Sequence, residues 1–218
     1  MATNGGPNIV TDGLVLALDA ASPRSYQGSG TKWNDIVNNN SGTLTNGPTY
    51  SSTKSGIITF DNTNDYVALP NSLGYTTQVS AFAWIRVAGN PAGGYHIIFG
   101  GQQLEISIPT AGSLRVGVYT NTRYVSNHGS GLADGEWHYI GFTFNGSTKT
   151  AYIDGTSVGT QAVSGTLTST FSNRTMGRYG SSTTYYLNGS IASAAIYNRS
   201  LASTEVLQTY NATKQRFK

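Results

Sequence analysis

The chain has 218 residues, of which 11% are charged, with a net charge of +3 and no cysteine. That length suits one domain whose core holds by packing alone, and the lack of cysteine excludes disulfides and thiolate metal sites. The positive balance reflects scarce acids rather than basic runs, and the scattered lysines and arginines argue against a nucleic-acid-binding face.

Glycine (27) and tyrosine (14) are abundant, and with many Thr, Val, Asn and Ser they suit short strands joined by tight turns. Residues 1–12 read as an N-terminal arm. Their first seven residues carry neither a basic start nor an apolar run, so no secretory signal is expected. Leu14–Asp19 reads as a buried strand. Residues 20–49 read as one long loop, with Trp33 plugging it onto the body of the fold; a loop of that length is uncommon unless it packs on itself. Strands are then predicted at 57–60, 66–69 and 79–87. The last is apolar at nearly every central position, as in a strand covered on both faces.

Further strands are predicted at 96–99, 104–108, 114–118, 137–144, 150–153, 157–163, 174–179 and 191–197. Leu104, Ile106 and Ile108 alternate with Glu105 and Ser107, and Leu114, Val116 and Val118 with Arg115 and Gly117, so both strands are expected to have one face in the core and one in water. Asn145-Gly146 and Asp154-Gly155 are hairpin signals. Many short, evenly spaced strands mean a sandwich or barrel. No stretch approaches ~18 apolar residues, so no membrane insertion is expected. One helix is predicted at 203–213. Leu201 and Val206 are spaced as a hydrophobic staple around residue 202, and Glu205 stands at the capping-box position, yet the cap itself is Ala202, which supplies no oxygen. A basic tail, 214–218, closes the chain as a solvated end or a docking point for a partner.

Glycoside hydrolysis needs two carboxylates flanking one bond, but Glu105, Glu136 and Glu205 are far apart in the sequence. Gly155-Thr156-Ser157-Val158-Gly159 matches Gly-x-Ser-x-Gly, but it follows a hairpin signal into a strand rather than turning from strand to helix, so it is no nucleophile elbow for His96, His128 or His138, and His138 reads as a half-buried strand residue. Catalysis is therefore not expected. Asp61, Asn62, Asn64 and Asp65 form an oxygen-rich turn that could hold calcium, or an Asx turn whose side chains bond nearby amides. Asp19 is a second metal candidate. No other cofactor is expected. Tyr95, Tyr124, Tyr179, Tyr185 and Tyr186, with Tyr119 beside them, could stack on sugar rings or anchor a protein contact; residues 178–186 would form the rim.

Three segments carry a resemblance. They are Ile58-Thr59-Phe60-Asp61-Asn62-Thr63-Asn64-Asp65-Tyr66-Val67, then Glu136-Trp137-His138-Tyr139 with Ala151-Tyr152-Ile153-Asp154-Gly155, then Leu187-Asn188-Gly189-Ser190-Ile191-Ala192 with Ala195-Ile196-Tyr197-Asn198-Arg199. In that order they resemble the concanavalin A-like, laminin-G-type jelly-roll family. The resemblance implies an all-β sandwich of two antiparallel sheets with one short C-terminal helix, over residues 13–213. It also implies that Asp65-Tyr66 fastens its turn to the sandwich, and that some relatives bind calcium at a sandwich edge. The family often carries Glu where this chain has Ser193, and Ser where it has Ala202.

Residues 13–35 and the ending Tyr210-Asn211-Ala212-Thr213-Lys214-Gln215-Arg216-Phe217 look like segments of tailed-bacteriophage proteins. That likeness implies a non-catalytic virion structural or decorating protein of head, neck, tail or fibre, assembled in the host cytoplasm. Its partners would be other virion proteins and further copies of itself. The alternative expectation is a glycan-binding, lectin-like module that meets a host-surface glycan through its tyrosine-rich loops.

Overall fold

The computed structural model describes residues 8–71, 73–75, 77–91, 93–101, 103–167 and 173–218; the first seven residues of the expected arm lie outside it. Two antiparallel sheets face each other. The first contains β1 (Leu14–Asp19), β4 (Thr49–Ser51), β5 (Ile57–Asp61), β7 (Val79–Ala88), β12 (Asp134–Phe144), β13 (Thr148–Ile153), β14 (Thr156–Ala162) and β16 (Asn188–Tyr197). The second contains β2 (Lys32–Trp33), β3 (Gly42–Thr45), β6 (Tyr66–Ala68), β8 (Tyr95–Gly100), β9 (Leu104–Pro109), β10 (Leu114–Tyr119), β11 (Arg123–His128) and β15 (Thr175–Met176). The first sheet runs β14-β13-β12-β7-β16-β5-β4 with β1 also on β16, and the second runs β11-β10-β9-β8-β15-β6-β3-β2. This is the two-sheet sandwich that the spacing predicts, with one α-helix, α1 (Ser203–Thr213).

The central strand β7 shows how the sheets are covered. Its Val79, Ala81, Ala83, Ile85 and Val87 enter the core between the sheets. Its Phe82 and Trp84 point the other way, into a second apolar layer with Leu14, Tyr139, Tyr197, Leu201 and Val206. Phe82 stacks on Tyr139 at 5.2 Å between ring centroids, and Trp84 on Tyr210 at 5.7 Å. Alternation with period two places these residues on opposite faces. Because α1 lies over the outer face, both faces are apolar, which explains the near-continuous hydrophobic run.

The expected loop 20–49 is instead partly strand. Residues 32–33, 42–45 and 49–51 join the sheets as β2, β3 and β4. Side-chain hydrogen bonds supply the order that composition does not reveal. Asp35 Oδ1 accepts the Ala17 and Val37 amides at 2.9 and 3.1 Å, and its Oδ2 accepts those of Asn38 and Asn40 at 3.1 and 3.2 Å. Trp33 is fully buried in the inter-sheet core, as its predicted plugging role requires. Strand β11 is also new: Arg123, Ser126 and Asn127 break any apolar pattern, but its backbone completes the edge against β10.

At the carboxyl end, Leu201 and Val206 are both buried and staple the entry of α1. Glu205 Oε2 accepts the Ala202 amide at 2.8 Å and Arg199 grips the same carboxylate through both terminal nitrogens. Ser80 Oγ accepts the Leu201 amide at 2.9 Å, so β7 helps fix this entry. The basic tail turns into a 3-10 helix, Lys214–Phe217, rather than extending into water. Phe217 stacks on Trp84 at 4.1 Å and on Trp137 at 5.0 Å, and Arg216 bonds Asp19 Oδ1 at 2.7 Å.

Candidate functional site

Helix α1, the tail and the segment around Val10 cover most of the outer face of the first sheet, leaving hollows of about 100 and 310 Å³ beside Trp84. The outer face of the second sheet is different. Glu105 and Ser107, expected to face water, are buried, at 3% and 0% exposure. Glu105 forms part of the floor of a pocket of about 180 Å³, lined also by Tyr95, Ile97, Arg115, Arg123, Tyr179 and Tyr185.

The register of three consecutive strands builds this floor. Gly117 of β10 sits opposite Glu105 of β9 on one side and Val125 of β11 on the other. A Cβ at 117 would lie 2.8 Å from Val125 Cγ1 and 3.2 Å from Glu105 Cβ, so the glycine keeps this crossing open. Arg123 of β11 reaches over β10 to Glu105 Oε2, while Arg115 Nε meets Oε1 at 3.0 Å. Ser107 Oγ donates to the same Oε1 at 2.8 Å. One carboxylate thus receives three donors and holds two guanidiniums apart.

Tyrosine rings orient those guanidiniums. The Arg115 guanidinium carbon lies 5.2 Å from the Tyr95 ring centre, and that of Arg123 5.4 Å from that of Tyr179. Burial opposes charge on Arg123, but Glu105 more than offsets it by attraction and hydrogen bonding, so the guanidinium pKa lies above its usual value. Burial raises the Tyr179 hydroxyl pKa, against the pull of Arg123. Tyr185 meets Tyr95 edge-on at 5.8 Å. The loop carrying Tyr179 and Tyr185 closes on itself: the Tyr179 amide donates to the Tyr185 carbonyl, and Ser182 Oγ accepts the Thr184 and Tyr185 amides.

Three of the tyrosines singled out in the sequence, Tyr95, Tyr179 and Tyr185, therefore converge. The other two do not line this pocket. Tyr124 packs against the core, and its hydroxyl meets Ser164 Oγ at 2.5 Å. Tyr186 is buried at 8% exposure and pairs with Arg178 in an isolated bridge. Sequence reasoning missed Glu105, Arg115, Arg123 and Gly117 as site residues. The available signal was opposite charge at outward positions of neighbouring strands, which requires knowing that the strands are neighbours.

The oxygen-rich turn is elsewhere. Asp61 Oδ1 accepts the Thr63 and Asn64 amides at 2.9 and 3.4 Å, an Asx turn, and Asp65 Oδ2 accepts the Asp61 amide at 3.2 Å. Asn62 takes a positive φ of 63° at its apex, and Asn64 offers its carbonyl to Asn46. Burial, then repulsion from Asp61, raises the Asp65 pKa. Arg178 lies over the Tyr66 ring at 3.6 Å, which anchors the turn to the second sheet. Among the described residues, no three His, Cys, Asp or Glu side chains are grouped to hold a metal. Asp19 Oδ1 is occupied by Arg216 and by the Ala21 amide.

The glutamates are dispersed. Glu205 belongs to the helix entry, Glu136 lies on β12 and Glu105 on the pocket floor. His138, half-buried as expected, bonds Asp154 through Nδ1 at 2.9 Å and Asp134 through Nε2 at 3.3 Å. The Asp154 hydrogen bond, against the effect of burial, raises its pKa.

A family model described as the concanavalin A-like lectin/glucanases superfamily matches residues 61–207. The chain belongs to that superfamily. No curated protein matches the sequence. Among solved structures, the fold is similar to the binding domain of Paraclostridial Mosquitocidal Protein 1, with a TM-score of 0.71 and 16% identity. That match covers 92% of this chain and 52% of the other. It is also similar to Trypanosoma rangeli sialidase in complex with sialic acid, with a TM-score of 0.73, 16% identity, and coverage of 99% of this chain and 35% of the sialidase. The chain thus spans about half of one relative and a third of the other, and at this identity the likeness concerns the fold.

Proposed function

We propose that this superfamily member is a non-catalytic contact module that recognises a sugar through the pocket on its second sheet. The observation that carries the reading is the convergence of three tyrosine rings and two oriented guanidiniums around an open hollow. Aromatic faces supply apolar stacking surface and the polar groups fix orientation, the usual division of labour in a ligand pocket. At about 180 Å³ the hollow is smaller than the ~300–1,000 Å³ of pockets that enclose drug-sized ligands, so it suits one terminal unit rather than a chain. The only carboxylate among the described lining residues is Glu105, whose oxygens already hold Ser107, Arg115 and Arg123. Glycoside hydrolysis by paired acids would need a second carboxylate across the bond, and this supports binding over cleavage.

The likeness of residues 13–35 and 210–217 to phage proteins supports a virion setting for the module, on a part of the particle that meets a host-surface glycan. A broad glycan array tests the function: binding is expected, and it is expected to vanish in a Tyr179→Ala, Tyr185→Ala double variant that retains its melting temperature. Silence of the wild-type chain across the array would overturn the reading, and absence of the chain from purified particles would remove the setting.

A further inference from the structure

We infer that the sugar unit is anionic, and that its carboxylate docks on the guanidiniums of Arg115 and Arg123. The inference rests on the pocket reading above and specifies the ligand's chemistry.

The charge balance of the lining comes first. Two arginines and one glutamate leave a net single positive charge in the hollow. The glutamate faces the floor, with its side chain 5% exposed, whereas those of Arg115 and Arg123 are 19% and 40% exposed. A ligand entering from solvent therefore meets the cations before the anion.

The hydrogen-bonding inventory is equally one-sided. Arg115 uses Nε on Glu105 and Arg123 uses one terminal nitrogen. Among the described residues, the remaining guanidinium N–H groups have no protein acceptor. A guanidinium donates and never accepts. Glu105 already takes Ser107 Oγ at 2.8 Å and both arginines, so the acceptors left at the hollow are the tyrosine hydroxyls, which can also donate. A neutral sugar hydroxyl is served best by a site offering both donors and acceptors. A carboxylate is acceptor-only, planar and able to receive two parallel N–H bonds from one fork.

Pre-organisation supports the same conclusion. Glu105 ties both arginines from below, and Tyr95 and Tyr179 each lie against one guanidinium. The forks are held before any ligand arrives, which lowers the ordering cost of binding. Ile97 gives the floor an apolar patch beside them.

The test is isothermal titration of the wild-type chain with methyl glycosides of a sialic acid and of glucuronic acid, with their carboxyl methyl esters, with a sulfated hexose and with neutral glucose and galactose glycosides. The acids are expected to bind at least tenfold more tightly than their esters and to weaken as salt rises. Arg123→Gln is expected to lose that preference with its melting temperature checked alongside. Esters that bind as well as the acids, or neutral sugars that bind best, would overturn the anionic assignment and leave the sugar pocket standing. Preference for the sulfated hexose over both acids would overturn the carboxylate. No binding by any probe would count against the pocket reading itself.

Discussion

Lys149 extends from β13 into the sandwich, where its ammonium donates to the Val116 and Tyr124 carbonyls of the opposite sheet at 2.7 and 3.0 Å. Burial pushes its pKa down to about 7, with Glu105 opposing and Arg115 and Arg123 assisting. The folded pKa lies below the unfolded value, so folding favours the neutral amine. The stability that this group contributes is complete above the unfolded pKa of ~10.4 and is lost as pH falls through about 7. Urea midpoints of the wild-type chain are expected to rise between pH 7 and 9 more than those of Lys149→Met. Parallel slopes for the two proteins would contradict a buried, titrating lysine. At the same scale, Glu105 was readable only as an outward strand residue. Its burial comes from Arg115, Arg123 and the tyrosine rim, none of which is adjacent in sequence.

Helix α1 illustrates what an element can and cannot announce. Its span was legible because Leu201, Glu205 and Val206 have the spacing of a stapled, boxed N-terminus. Glu205 does accept the Ala202 amide, but Ala202 returns no side-chain bond. Ala202→Ser is expected to add about 1 kcal/mol of unfolding free energy by satisfying an amide of the first turn, read as a shift in urea midpoint at constant slope. No gain would mean that water or backbone already serves that amide. Strands β2, β3 and β11 were missed for a related reason. They are short or polar, and partner strands and Asp35 set their conformation rather than any periodicity of their own.

The whole molecule is asymmetric, with one outer face largely covered by helix and tail and the other left as bare sheet. The cover includes the last residues of the chain, which the sequence suggests as a solvated end or a docking point for a partner. Arg216 instead bonds Asp19 and the Lys54 and Gly56 carbonyls, and Phe217 lies between the Trp84 and Trp137 rings. Fully burying a side chain such as Phe contributes about 1.5–3 kcal/mol, and the partly buried Phe217 contributes a share of that. Deleting residues 214–218 is therefore expected to lower the melting temperature by roughly 5 °C in a domain of this size and to increase the exposure of Trp84, visible in tryptophan fluorescence. An unchanged melting temperature would show that the tail packs without contributing.

Alternation of apolar and polar residues, glycine-rich turns and one stapled helix sufficed to specify two pleated layers, because those signals act between residues a few positions apart. Tyr95, Tyr179 and Tyr185 were legible as surface aromatics in the same way. The pocket was not, since Glu105, Arg115 and Arg123 meet only when β9, β10 and β11 lie side by side and Gly117 leaves room for the crossing. Which face is covered was likewise decided in three dimensions: a strand's pattern shows that a face is apolar, but the segment that covers it docks from far along the chain.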